Sequence, residues 1–200
     1  KAQPQEVLDF NKVNVPGEHN QANILIGVIT GKLVGISNQA IAQAVYDFKG
    51  LEHRLELVAD KNDIKFYNDS QSTNPLSAIA AIKSFSKPIL LIVGGKSKPN
   101  PDDFDLLAEE ALQAGNIKQV LLIGEAAGQI KNSFKKFASE QENQALRLSI
   151  FKDLKAAVKQ ANELADKGDI ILLSPSTESF GEFKDYRERG EKFKKYSQGL

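Results

Sequence analysis

The chain has 200 residues, 41% of them apolar, enough to bury a real core in one large or two small domains. Lys+Arg and Asp+Glu balance at 26 each, which argues against any general attraction to nucleic acid or to an anionic membrane. Cysteine is absent, so disulfides and thiol chemistry are excluded, and two histidines alone leave a structural zinc site without a donor set. The missing cysteine fits a cytoplasmic location. No apolar run approaches the roughly 18 residues of a membrane span, and no charged-then-apolar signal segment opens the chain, so membrane insertion is not expected. Methionine is absent even at position 1, and the expectation is a piece of a longer protein.

In chain order, Val13 and Val15 before the Pro16-Gly17 turn suggest a short strand and a bend. Ala22, Ile24, Leu25, Val28, Ile29 and Leu33 recur at helical spacing and stop near Gly35. Ser37 reads as the N-cap of a helix over 38–48, with Ile41, Ala44, Val45 and Phe48 on one face and Lys49-Gly50 ending it. Two such helices bury little by themselves and read as the tail of a domain whose main part lies elsewhere. From Leu51 the pattern changes. Strands are expected at 55–59 and 64–67 around a turn at 60–63, followed by a helix opened by Pro75. Continuous apolar runs at 88–93, 120–123 and 169–173 predict strands buried on both faces. A further strand fits 146–151, and helices fit 102–114, 126–138, 154–165 and 181–197. This alternation predicts an α/β fold with a Rossmann-like, doubly wound and mostly parallel sheet over 51–200, preceded by a helical remnant over 1–50.

Three polar loops, 68–75, 94–101 and 174–180, then follow strands at one edge of the sheet, where open α/β sheets hold their ligands. Tyr67-Asn68-Asp69-Ser70-Gln71-Ser72-Thr73-Asn74-Pro75 offers a carboxylate, hydroxyls and amides before a helix N-terminus. A plain join, with Asn74 as N-cap and Pro75 at the first helical position, fits the same residues. Gly94-Gly95-Lys96-Ser97-Lys98 lacks the spacing of a Walker A loop, and no G-x-G-x-x-G follows a strand. A lysine there suits a carboxylate or phosphate as a point charge, and a solvated turn lysine fits as well. Ser174-Pro175-Ser176-Thr177-Glu178-Ser179-Phe180 reads as a hydroxyl-rich cradle or a capping loop, and no G-x-S-x-G elbow supports serine hydrolysis. Phe183, Tyr186, Phe193 and Tyr196 alternate with charges as the packing face of the last helix.

Taken together, these segments resemble the Mur ligase family, specifically its D-glutamate-adding branch. Pro16-Gly17-Glu18-His19-Asn20-Gln21-Ala22-Asn23 is similar to the G-x-H-N-x-x-N segment near the end of the central ATPase domain. Gly50-Leu51-Glu52-His53-Arg54-Leu55-Glu56 resembles G-x-x-H-R-x-E, and Asp69-Ser70-Gln71-Ser72-Thr73-Asn74 resembles D-S-K-A-T-N. Gly94-Gly95 with Lys98 resembles G-G-x-x-K, and Ser174-Pro175-Ser176 through Ser179-Phe180, Phe183-Lys184 and Arg189-Gly190 resembles the closing motif. The resemblance implies residues 1–50 as the end of the central ATPase domain and 51–200 as the C-terminal domain.

It also implies an ATP-dependent ligase of peptidoglycan synthesis. ATP phosphorylates the carboxylate of UDP-N-acetylmuramoyl-L-alanine, and the amine of D-glutamate attacks the acyl phosphate. By the family pattern Asn23 contacts adenine, while Arg54 and Asp69 place the nucleotide. Lys98, Thr73, Ser179 and Phe180 hold D-glutamate, with Lys98 pairing a carboxylate and Tyr186 where the family packs an aromatic. The implied cofactors are ATP and Mg2+, with the phosphate loop and metal ligands before residue 1; no metal ligand or certain catalytic residue is expected within the chain. A monomer without nucleic-acid partners is expected, inactive by itself. Gln71 replaces the usual lysine, and Glu178 stands where alanine is common. These departures keep a ligase for another amino acid open, and a non-catalytic binding module is the alternative of a different class.

Overall fold

A computed structural model describes residues 6–98, 100–140 and 146–200. The chain divides into two compact units, one ending at Leu51 and one spanning Glu52–Leu200.

The first unit holds a 3-10 turn, Phe10–Lys12, and two helices, α1 (Glu18–Leu33) and α2 (Asn38–Asp47). Ser37 caps α2 by accepting the Ala40 N–H at 3.3 Å. Gly31 lets the helices approach, since a Cβ there would stand 3.1 Å from Ile41 Cδ1. The strand expected at 13–15 does not form. The Val13 N–H closes the 3-10 turn on Phe10, and Asn14 spends its side-chain amide on the Tyr46 carbonyl. Two alternating valines had no neighbouring strand to pair with.

The second unit is a six-stranded sheet in the order β1-β2-β6-β3-β4-β5. Its strands are β1 (Glu56–Lys61), β2 (Ile64–Asn68), β3 (Ile89–Gly94), β4 (Ile117–Ile123), β5 (Arg147–Ile150) and β6 (Ile170–Leu173). β1 is an antiparallel edge strand on β2, and all other pairings are parallel. Asn62 and Asp63, both with positive φ, form the two-residue hairpin turn that suits the twist of paired strands. The mostly parallel sheet expected from the apolar runs is therefore present, with one antiparallel edge.

Helices cover both faces. Along β3 the side chains alternate: Ile89, Leu91 and Val93 join the core under α3 (Pro75–Lys83), α4 (Asp105–Ala114) and α5 (Ala127–Glu140). Leu90 and Ile92 join the core under α6 (Leu154–Leu164) and α7 (Tyr186–Gln198). β4 from Val120 onward and β6 alternate likewise, which is why 120–123 and 170–173 are apolar at every position. Asn74 caps α3 by accepting the Ser77 N–H at 3.0 Å, with Pro75 at its start.

Two helices begin later than their sequence pattern suggests. Residues 101–104 form a 3-10 turn before α4. α7 starts at Tyr186 because the Asp185 carboxylate accepts the Glu188 N–H at 2.9 Å. Phe183 thus lies in the loop before α7, yet packs with Tyr196 against the core that buries Phe193.

Candidate functional site

Strands β2, β6 and β3 are parallel neighbours, so the loops after them emerge at the same edge. Backbone hydrogen bonds join these loops. The Asp69 N–H donates to Leu173 O at 2.8 Å, Ser176 N–H to Ser72 O at 2.9 Å, Gly94 N–H to Pro175 O at 2.9 Å, and Lys96 N–H to Glu178 O at 3.0 Å. A fourth loop, after β4, joins them through Ala126 N–H to Gly95 O at 3.0 Å. Glycine is required where they converge. A Cβ on Gly94 would lie 2.1 Å from Ile123 O, and one on Gly124 would lie 2.7 Å from Gly95 Cα. Both glycines also have positive φ.

Asp69 lies at the centre of this arrangement and is only 2% exposed. Its Oδ1 accepts the Leu55 N–H at 3.2 Å, and its Oδ2 accepts the hydroxyls of Ser72 at 2.5 Å and Ser174 at 2.8 Å. Burial pushes its carboxyl up to about 6, against the hydrogen bonds and the nearby Arg54 charge that favour the ionised form. The Leu55 contact secures a tight segment in which His53 and Leu55 both have positive φ. Arg54, between them, is exposed.

His53 is buried with its carbonyl accepting the Gln71 N–H at 3.0 Å. Asn68 spans the same region: Oδ1 accepts the Ser70 N–H at 3.2 Å, while Nδ2 donates to Glu56 Oε2 at 3.2 Å and meets His53 Nδ1 at 2.9 Å. With the amide orientation set by Ser70 and Glu56, His53 Nδ1 is the acceptor, and Nε2 carries its proton toward Glu52 and Glu191. Gly190 makes room for the imidazole, because a Cβ there would fall 2.3 Å from His53 Nδ1. Tyr186 stacks edge-on against the same ring at 6.0 Å between centroids.

Arg189 is fully buried and, among the described residues, makes no ion pair with a carboxylate. Nε donates to Ser70 Oγ at 3.0 Å, Nη2 to Ser70 O at 2.9 Å, and both Nη1 and Nη2 to Thr177 O at 3.1 Å. Ser70 Oγ in turn donates to the Tyr186 carbonyl at 2.7 Å. One guanidinium therefore ties the loop after β2 to the loop after β6 and to the start of α7. Burial lowers its affinity for its proton to about 10, still well above neutrality.

The sequence-derived residues fall into three groups. Asp69 and Ser179 are interior; Asp69 holds backbone and hydroxyls, and the Ser179 carbonyl accepts the Phe183 N–H at 3.1 Å. Thr73, Lys98 and Tyr186 are half-buried, while Arg54 and Phe180 are exposed, Phe180 by 56%. These seven belong to the second unit. Asn23 is exposed on α1 of the first unit. Gln71 and Glu178 are both exposed, and Glu178 contributes its carbonyl to the loop junction.

Sequence reasoning gave no separate role to Arg189 or Gln129. The signal for Arg189 was available: Arg189, Gly190, Phe193 and Ser197 recur at helical spacing and form the buried stripe of α7. Gln129, near the start of α5, binds the Lys98 backbone at both its N–H and its C=O. Its position had no sequence signal.

Among the described residues, Glu52, His53 and Glu191 form the one grouping with metal-ligand spacing. The Lys194 ammonium already lies 2.5 Å from Glu52, 2.9 Å from Glu56 and 3.2 Å from Glu191. These carboxylates hold the Lys194 proton tightly, and the cluster carries its own cation. It does not fit a nucleotide-bound divalent ion. No helix among the described residues is long and apolar enough to cross a membrane.

The family model described as "Mur ligase, glutamate ligase domain" matches residues 53–177. UDP-N-acetylmuramoylalanine--D-glutamate ligase from Thermoanaerobacter sp. (strain X514) is 39% identical over 193 residues, covering 96% of this chain and 40% of the relative. The protein of that name from Caldicellulosiruptor bescii shows the same identity and coverage. The chain thus spans about two fifths of the length of these relatives. Among solved structures, the MurC ligase of Thermotoga maritima aligns with a TM-score of 0.66 at 16% identity, covering 94% of this chain and 39% of that one. MurF from the same organism, in complex with ADP, aligns at 0.59 and 14% identity, covering 92% and 40%. At such identities the structural likeness establishes the fold.

Proposed function

This chain belongs to the Mur ligase family, and from that premise we propose that it supplies the amino-acid-binding side of an ATP-dependent D-glutamate ligase. In the full-length enzyme, ATP phosphorylates the carboxylate of UDP-N-acetylmuramoyl-L-alanine. The amine of D-glutamate then attacks the acyl phosphate, forming an amide and releasing ADP and phosphate, in peptidoglycan synthesis. The observation that carries this reading is the meeting of three motif-bearing loops at one sheet edge in a chain 39% identical to enzymes of that name.

In this reading Lys98 offers its ammonium to a carboxylate of D-glutamate, and Thr73, Ser179 and Phe180 complete the amino-acid site with Tyr186 beside them. Among the described residues the Lys98 ammonium has no ion pair, so none of them compensates its charge. Arg54, exposed between two left-handed residues, suits a phosphate oxygen of the nucleotide. Asp69 supports it through the Leu55 N–H. Asn23 is proposed, separately, as an adenine contact. ATP and Mg2+ are the proposed cofactors. The Glu52, His53 and Glu191 cluster already holds the Lys194 ammonium and is not proposed to take the Mg2+.

The decisive experiment uses the full-length enzyme. Phosphate release is expected to require ATP, UDP-N-acetylmuramoyl-L-alanine and D-glutamate together, with L-glutamate failing to substitute. Lys98→Ala is expected to raise the KM for D-glutamate far more than that for ATP. Equal turnover with the two isomers, or with a different amino acid, would defeat the proposal. The 200-residue chain alone is expected to release no phosphate.

A further inference from the structure

The segment 95–98 is laid against the β4–α5 connection residue by residue. Gly95 O accepts the Ala126 N–H at 3.0 Å, and Lys96 Nζ lies 3.1 Å from Glu125 Oε2. Ser97 Oγ approaches the same carboxylate at 3.4 Å. At Lys98 the contact changes kind. The Lys98 N–H donates to Gln129 Oε1 at 3.2 Å, and Gln129 Nε2 donates to Lys98 O at 2.9 Å. One side-chain amide therefore satisfies both backbone groups of Lys98, as a neighbouring strand would. Gln129 stands in the first turn of α5, whose Ile130 and Phe134 are buried in the core, so the clamp rests on a fixed element.

The two lysines of this loop differ in consequence. Lys96 is paired with Glu125, and its charge is spent within the protein. Lys98 has its backbone held and, among the described residues, its ammonium without an ion pair. We infer that Gln129 is a positioning residue that fixes the Lys98 backbone, and so confines the Lys98 ammonium, for the carboxylate of the incoming amino acid. This rests on the function proposed above. An ammonium on a four-carbon stem is a poorly directed charge, and holding its backbone removes two of the torsions that would otherwise spread it.

The test is a double-mutant cycle in the full-length enzyme. Gln129→Leu removes both hydrogen bonds at nearly constant volume. It is expected to raise the KM for D-glutamate about tenfold, the order expected from losing two net hydrogen bonds. The KM for ATP and the melting temperature should change little. Gln129→Glu keeps the acceptor for the Lys98 N–H and loses the donor to its carbonyl, so a smaller rise is expected. In a Lys98→Ala background, Gln129→Leu should add nothing further, because it acts through Lys98. If Lys98→Ala raises the KM for D-glutamate and Gln129→Leu does not, or if the two effects multiply, the positioning role is refuted. If Lys98→Ala itself leaves that KM unchanged, it is the functional reading that fails. Should Gln129→Leu not fold, Gln129→Glu alone decides: an unchanged KM for D-glutamate overturns the inference.

Discussion

Asp69 and Arg189 are opposite charges at the same sheet edge, yet they do not pair. Each instead binds neutral groups: Asp69 takes two hydroxyls and a backbone N–H, and Arg189 takes two carbonyls and a hydroxyl. Loops cannot bury their backbone polar groups unpaired, and a charged side chain with several oxygens or N–H groups satisfies many of them at once. The Asp69 carboxyl carries a measurable consequence. Its folded-state value of about 6 lies above the ordinary 3.8, so between pH 4 and 6 the folded chain holds a proton that the unfolded chain releases. The resulting stability is fully present below the ordinary value and is lost as pH rises through about 6. Two pKa units correspond to about 3 kcal/mol. Asp69→Asn cannot titrate, so the stability of the natural chain minus that of the variant should increase by about that amount on going from pH 7 to pH 4. Urea denaturation across this range measures the difference, in which the other carboxylates cancel. A flat difference would show that Asp69 is not desolvated as the structure has it.

At the scale of elements, the site is made by strand ends, and glycine sets how closely they approach. Gly94 ends β3 where its Cα faces the last carbonyl of β4, and a methyl 2.1 Å from Ile123 O cannot be accommodated without separating the two strands. Gly94→Ala is therefore expected to destabilise the second unit by at least about 3 kcal/mol, combining a backbone clash with a positive φ. Thermal unfolding checks this, and a loss under about 1 kcal/mol would show that the strands can part cheaply. Much of this level was legible in the sequence. Apolar runs at β3, β4 and β6 announced strands covered on both faces, and Asn74-Pro75 announced the start of α3. The three loops could be placed at one edge because parallel strands joined by helices all end on the same side. What sequence could not supply was partnership across the chain. Nothing near Arg189 foretold that Ser70, 119 residues away, and Thr177 would surround its guanidinium. Asp69 looked like a ligand-facing carboxylate in a polar loop, while its partners Ser72 and Ser174 enclose it. Val13 and Val15 alternated as a strand should, but alternation without a pairing strand is only a pattern.

For the whole molecule, the two units differ in what stabilises them. In the Glu52–Leu200 unit, β3 and β6 are buried along their full length, and thirteen of its core side chains belong to the α6/α7 face alone. Among the described residues of the unit ending at Leu51, only Gly31 of α1 and Ile41 of α2 are buried, while Ile26, Ile29, Leu33 and Val34 are each more than half exposed. A pair of helices with so little buried area has little to set against the conformational entropy of ordering them. Hydrogen exchange of the 200-residue chain should therefore separate the units. Amides of β3, β4 and β6 are expected to exchange only through global unfolding, whereas those of α1 and α2 exchange orders of magnitude faster, through opening of that pair alone. Denaturant should steeply accelerate exchange of the first set and leave the second nearly unaffected at low concentration, since little surface is exposed when two helices part. Equal protection in α1 and β3 would mean that the chain opens as one cooperative body, and the energetic division at Leu51 would be wrong.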